Sequence, residues 1–136
     1  MKHADIEDVE EIYDIMKGIG RIAYTRDLVA DLINSESSIC LKLILDEKII
    51  GALGEKAEGE NALWLYFVVV KEEFRKKDYA TKLMNRLFEE AKNIGIKRIA
   101  LDTPDREFSE KFGFKEAGKI PNWYKGKDQI IMYRFL

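Results

Sequence analysis

The sequence predicts an α/β fold in one domain spanning residues 1–136: a mixed, mostly antiparallel sheet with a central parallel pair of strands and helices on both faces. Two observations carry this. The run Phe67 to Leu83, FVVVKEEFRKKDYATKL, passes from the β-branched Val68, Val69 and Val70 through a charged turn into a pattern in which Ala80, Leu83, Met84, Leu87 and Phe88 recur at helical spacing. The next apolar run, Ile96 to Leu101, follows that helix after Gly95. A strand, a helix of this length and a second strand form a right-handed crossover, which makes the two strands parallel. Hydrophobic residues at 46% and charged residues at 35% describe a globular chain that buries a sizeable core without a metal or disulfide.

Met1 to Ala4 reads as a short strand. Asp5 caps a helix whose inner positions are Ile6, Val9, Ile12, Ile15 and Met16, and Gly18 and Gly20 end it. Thr25 is the N-cap of a second helix with Leu28 and Leu32 or Ile33 facing inward, stopping near Asn34 and Ser35. Ile39 to Leu45 and Ile49 to Glu55 form a hairpin around Asp46-Glu47-Lys48, and Glu58 to Asn61 is a polar turn. Ala62 to Val70, the longest apolar run, is too short to span a bilayer and belongs at the centre of the sheet, covered on each side. Beyond Leu101, Thr103-Pro104-Asp105 starts a short helix with Pro near its first turn, ending at Gly113. Phe114 to Lys119 and Gln129 to Phe135 are closing strands around a turn at Tyr124 to Asp128.

A net charge of -2 provides no global basic field, so nucleic acid is not an expected partner and any anion site is local. The single Cys40 excludes an internal disulfide and a multi-cysteine metal cluster, and it reads as a small hydrophobe in an apolar strand. His3 has no second histidine beside it, so no metal is expected. The start MKHADIEDVEE lacks an apolar signal core, from which a cytoplasmic protein without a membrane partner is expected.

The chemistry concentrates at the strand-to-helix turn. The first N–H groups of a helix lack intrahelical acceptors and sit at the positive end of its dipole, which makes such a turn a ready phosphate site. Here Arg75-Lys76-Lys77 adds positive charge, and Ala80 and Thr81 are small where a ligand would lie close. The plain alternative is a solvated lysine-rich loop before an amphipathic helix.

The segment VVVKEEFRKKDYATKLMNRLFEEAKNIGIKRIALD, then FSEKFGFKEAGKI, resembles the GNAT superfamily of acetyl-coenzyme A-dependent N-acetyltransferases. That family's pattern after its fourth strand is R/Q-x-x-G-x-G/A, then an amphipathic helix, a strand, and a short helix ending in Gly-Phe. Arg75, Asp78 and Ala80 occupy the marked positions, and Gly113-Phe114 the last. The opening KHADIEDVEEI also looks like the family's first strand and helix, so the resemblance covers essentially the whole chain.

The resemblance implies a GNAT fold with acetyl-coenzyme A as cosubstrate. Backbone N–H groups from Lys77 through Asp78, Tyr79 and Ala80 to Thr81, beside Arg75 and Lys76, would cradle the pyrophosphate. Val68, Val69 and Val70 would pair through their main chain with the pantetheine arm, in a gap where the fourth and fifth strands splay. An amine would then attack the thioester directly, which requires a deprotonated amine and a stabilised thiolate.

Two positions depart from the pattern. Asp78 replaces the usual Gly, placing a carboxylate near the phosphates, although Asp tolerates positive φ better than most residues. Ser109 stands where the family's thiolate-protonating tyrosine usually sits; a serine hydroxyl is a poorer acid, so Tyr124 or solvent is the alternative donor, and Ser109 reads equally as an exposed helix residue. Asp102 ends the fifth strand where similar N-terminal acetyltransferases carry a glutamate, and it reads equally as an N-cap of the following helix. Glu55 is a weaker candidate base, otherwise a solvent-facing strand end.

Asn122-Trp123-Tyr124 and the following residues resemble the aromatic segment of the ribosomal-protein N-terminal acetyltransferase branch, which flanks an incoming N-terminus. The bland reading is a hairpin turn packed by aromatics. The Gly18 to Tyr24 loop, with Arg21 and Tyr24, would form the opposite wall. The expected acceptor is a protein N-terminus or a small amine, and a homodimer is left open. The competing reading is a GNAT-like domain that binds coenzyme A or a partner without turnover.

Overall fold

The computed structural model describes residues 1–19 and 24–136. Its elements run β1 (Lys2–His3), α1 (Val9–Lys17), α2 (Arg26–Asn34), β2 (Ser38–Leu45), β3 (Lys48–Ala57), β4 (Ala62–Val70), α3 (Tyr79–Asn93), β5 (Arg98–Thr103), α4 (Arg106–Glu110), β6 (Lys115–Tyr124) and β7 (Lys127–Phe135). Short 3₁₀ turns at Ile6–Asp8 and Glu72–Phe74 precede α1 and follow β4. The strands form one seven-stranded sheet in the order β1-β2-β3-β4-β5-β7-β6. Among the described residues only β4 and β5 pair in parallel. The expected α/β fold, with its parallel pair at the centre of a mixed sheet, is the fold observed.

Helices cover both faces, but unequally. One core joins Ile12, Met16, Val29 and Leu32 of α1 and α2 to Ile49, Ala52, Phe67 and Val69 of the sheet. The other sets Leu83, Met84, Leu87, Phe88 and Ala91 of α3 against Leu53, Leu63, Leu65, Ile99 and Met132. Each of these large apolar side chains contributes about 1.5–3 kcal/mol by leaving water. In β4 the residues facing α3 change parity, from Leu63 and Leu65 to Val68 and Val70, while Phe67 and Val69 face α1 and α2. The cause is a bulge: Gly54 pairs with Phe67 but Glu55 with Leu65, leaving Tyr66 as the extra residue. Gly54 is required there, because a Cβ would lie 2.5 Å from Phe67 Cε1.

Several boundaries differ from expectation, each for a local reason. The Asp5 cap starts a 3₁₀ turn instead of α1: Asp5 accepts from the Glu7 N–H, and Asp8 accepts from the Asp5 N–H, a reciprocal capping box. The fifth strand begins at Arg98, not Ile96. Gly95 takes φ of 84° and bonds Lys92 O, while Ile96 bonds Ala91 O at 2.9 Å, so a Schellman motif consumes Ile96. The β6–β7 turn is only Lys125-Gly126, with φ of 49° and 76°, so Asn122, Trp123 and Tyr124 end strand β6 instead of forming the turn. Pro104 precedes the cap instead of lying in the first turn of α4, where Asp105 accepts from the Glu107 N–H at 3.0 Å.

Candidate active site between the splayed strands

The parallel pairing of β4 and β5 stops early. It runs from Ala62 and Arg98 to Leu65 and Leu101; beyond that, Asp102 and Thr103 pair only with β7, and β4 continues to Val70 alone on that edge. Val68, Val69 and Val70 pair with Leu53, Ala52 and Gly51 of β3, so their other edge faces the opening. Unpaired strand edges present a row of N–H and C=O groups to any extended ligand. The bulge at Tyr66 sits where the two strands part. A cavity of about 110 Å³ occupies the parting, between Tyr24, Tyr66 and Phe67 on one side and Asp102, Thr103 and Ser109 on the other. A larger depression of about 300 Å³ lies near Gly113, Tyr133 and Phe135, and it holds none of the expected site residues.

At the end of β4 the chain turns through two left-handed residues, Lys76 at φ 62° and Asp78 at φ 63°. Arg75 Nε donates to Val70 O at 3.0 Å and ties the turn to the strand. Asp78 is the N-cap of α3, but its side chain makes no capping bond. Lys82 is the first residue whose N–H reaches back into the helix, to Asp78 O at 3.1 Å. The N–H groups of Tyr79, Ala80 and Thr81 therefore remain at the positive helix end, behind a turn whose left-handed residues gather donors into an anion-binding concavity. Lys77 Nζ lies 5.8 Å from the Phe74 ring and Lys82 Nζ 5.2 Å from the Tyr79 ring, placing cations on either side. The left-handed conformation of Asp78 is the one that glycine adopts most easily.

Asp102 and Ser109 meet at the same cavity. Asp102 Oδ1 accepts from Trp64 Nε1 at 3.2 Å, and Oδ2 accepts from Gln129 Nε2 at 2.5 Å. It does not cap α4, because Asp105 does. Ser109 is 2% exposed, which corrects the reading of an exposed helix residue. Tyr24 packs edge-on to Phe67 at 6.3 Å and lines the cavity. Arg21 lies outside the described residues.

The hairpin aromatics are elsewhere. Thr103 pairs with Ile130, so the tip that joins Tyr124 to Lys127 projects past the end of β5. Trp123 is 59% exposed, and neither it nor Tyr124 lines the cavity. The bland reading of these aromatics as turn packing is corrected on the same ground for Trp123.

Glu55 is not a solvent-facing strand end. It is 0% exposed, and neither carboxylate oxygen has a hydrogen-bond partner among the described residues. Burial pushes its pKa up to about 8, the Ile39 backbone pulls the other way without completing a hydrogen bond, and Glu90 adds like-charge repulsion. It does not line the cavity. His3 is exposed and sits 3.1 Å from Glu90 Oε1, and Cys40 is buried with its thiol pushed up to about 12 by burial. Among the described residues no group of three His, Cys, Asp or Glu could hold a metal. Among the described residues no helix is long and apolar enough to cross a membrane.

Tyr66, Trp64 and Gln129 belong to the site's surroundings and were not singled out from sequence. Tyr66 bonds Glu58, and its phenol is pushed up to about 12 by burial first and by that bond second. The available signals were a polar Gln among the apolar residues of the last strand and two aromatics with polar tips in the central one.

The candidate site is thus a parallel strand pair that opens beside an uncapped helix N-terminus in a mixed α/β sheet. The chain belongs to the acetyltransferase (GNAT) family, whose profile matches residues 7–114. Solved structures share the fold. The ribosomal-protein-S18-alanine N-acetyltransferase of Escherichia coli superposes with a TM-score of 0.88 at 17% identity, covering 98% of this chain and 91% of that one. Ard1 from Thermoplasma volcanium gives 0.87 at 20%, covering 99% and 95%. An aminoglycoside 6'-N-acetyltransferase complexed with coenzyme A gives 0.81 at 20%, covering 93% and 89%. No curated protein matches the sequence.

Proposed function

We propose that this chain transfers an acetyl group from acetyl-coenzyme A to a primary amine by direct attack. The observation that carries the reading is the β4–β5 parting, open from Val68 to Val70 and adjoining the left-handed turn and uncapped start of α3. Bound acetyl-coenzyme A would supply an acyl thioester, whose carbonyl accepts the nucleophile and whose sulfur departs.

The chain's own residues divide the work. The N–H groups of Lys77 to Thr81, with Arg75, Lys76 and Lys77 adding charge, hold the pyrophosphate. The free edge of Val68 to Val70 aligns the pantetheine amides as an added strand. Asp102 accepts an N–H of the amine, directly or through water, and draws off its proton. Ser109 donates a hydrogen bond to the departing sulfur, with solvent as the alternative proton source; Tyr124, which does not line the cavity, is left to the acceptor wall. Trp123 and Tyr124 at the hairpin tip flank the acceptor with Tyr24, and Arg21 is a further acceptor-binding residue.

A protein N-terminus suits this wall better than a small polyamine or amino-sugar, because Trp123 offers exposed aromatic area beyond the cavity. The structural relatives include enzymes named for a ribosomal-protein acceptor and for aminoglycosides, so the test uses both kinds. A second reading, coenzyme binding without turnover, is favoured by Ser109 in place of a tyrosine and by the Asp78 carboxylate at the turn.

Calorimetry with acetyl-coenzyme A, then release of free thiol with a panel of N-terminal peptides and small amines, separates these. Binding with amine-dependent thiol release is expected. Absence of binding at millimolar ligand refutes both readings, and binding without release for any amine leaves the silent one.

A further inference from the structure

The carboxylate of Asp102 is held from both neighbouring strands. β5 lies between β4 and β7, with Trp64 opposite Ala100 on one side and Ile131 opposite Asp102 on the other. One donor comes from each: Trp64 Nε1 to Oδ1 at 3.2 Å, and Gln129 Nε2 to Oδ2 at 2.5 Å. Gln129 is 3% exposed. A buried primary amide costs free energy unless it is hydrogen-bonded, so its burial here makes sense through the bond to Asp102.

The two donors share a property that matters for the site. Neither an indole nor an amide changes charge with pH, so the clamp orients the carboxylate without neutralising it. One N–H on each oxygen fixes both the side-chain torsion and the plane of the group. Asp102 also lines the cavity in the strand parting, with Thr103 and Ser109 beside it.

We infer that Gln129 and Trp64 are positioning residues, which aim the Asp102 carboxylate so that it accepts an N–H of the amine at the β4–β5 opening. The inference rests on the acetyl-transfer reading. In the step it serves, the C–N bond forms, the C–S bond breaks, one amine proton passes to Asp102 or its water, and the sulfur takes up a proton. An oriented acceptor holds the nitrogen lone pair toward the thioester carbonyl, and geometry of this kind contributes strongly to rate.

Trp64 shares the chain only with the exposed Trp123, so its indole N–H is readily resolved by NMR. Gln129→Met keeps the side-chain length and removes the donor. In that variant the Trp64 indole proton should exchange with solvent several-fold faster and move upfield, because Asp102 Oδ2 has lost the donor that aims it. The acceptor KM should rise and kcat/KM should fall about tenfold, with the KM for acetyl-coenzyme A unchanged. In an Asp102→Asn background the same substitution should cost nothing further. Trp64→Phe, which removes the other donor, should repeat the rise in acceptor KM. An unaltered indole signal in Gln129→Met would overturn the positioning role, as would full additivity with Asp102→Asn. If the indole responds as expected while no amine is acetylated by the wild type, the acetyl-transfer reading fails and the clamp on Asp102 stands.

Discussion

Glu55 is the least comfortable group in the molecule, and replacing it by Gln changes stability in a way that depends on pH. Its carboxyl is 0% exposed, lacks hydrogen-bond partners on both oxygens, and is held up to about 8 against an ordinary 4.5. The folded state therefore keeps a proton that the unfolded chain releases. Glu55 contributes its full stability below pH 4.5, loses it progressively as pH rises through 8, and changes nothing further above that. At about 1.36 kcal/mol per pH unit, the span between those values corresponds to roughly 3–5 kcal/mol. Glu55→Gln preserves the shape and cannot ionise. The variant should be nearly as stable as the wild type at pH 5 and more stable by roughly 3–5 kcal/mol at pH 9, equivalent to about 10–17 °C in Tm. Urea denaturation of both proteins from pH 5 to 9 measures this directly. A stability difference that stays constant across that range would refute the assignment of a buried, unpartnered carboxyl.

Other perturbations probe the turn and the bulge. Asp78→Gly removes a side chain from a residue at φ 63° and a negative charge from the mouth of the proposed anion site, so it should tighten acetyl-coenzyme A about 3- to 10-fold by calorimetry. Weaker binding by a folded variant would show that the carboxylate has a positive role there. Gly54→Ala brings a Cβ to 2.5 Å from Phe67 Cε1 and 2.8 Å from Leu32 Cδ1, which should destabilise the fold by about 1–3 kcal/mol in denaturant titration. An unchanged midpoint would mean that the α1–α2 side of the sheet yields more easily than its packing indicates.

Much of this architecture was legible because local and global signals agree. The β-branched run to Val70, the turn, and the α3 pattern of Leu83, Met84, Leu87 and Phe88 specify strand, junction and helix without reference to distant residues. The proposed acetyl-donor side of the candidate site lies within that stretch, so its elements follow from local pattern alone. What stayed hidden depends on register. A sequence does not show that pairing skips Tyr66, and that skip turns Leu65 and Phe67 to opposite faces of the sheet. The same holds for Asp102, whose partners Trp64 and Gln129 come from strands on either side. Glu55 read as a strand end because charged residues at such positions normally face water. The strand instead runs on to Ala57 and carries Glu55 inside. Arg21, expected on the acceptor wall, lies outside the described residues and takes no part in this comparison.

The central claim is that the parting of β4 from β5, continued into the turn before α3, holds acetyl-coenzyme A. Amide hydrogen exchange with and without coenzyme A tests it most directly. Slowed exchange confined to Val68 to Val70 and to Lys77 to Thr81 is the predicted result. Binding that leaves those amides unprotected, or protects only the depression near Gly113 and Phe135, would contradict it.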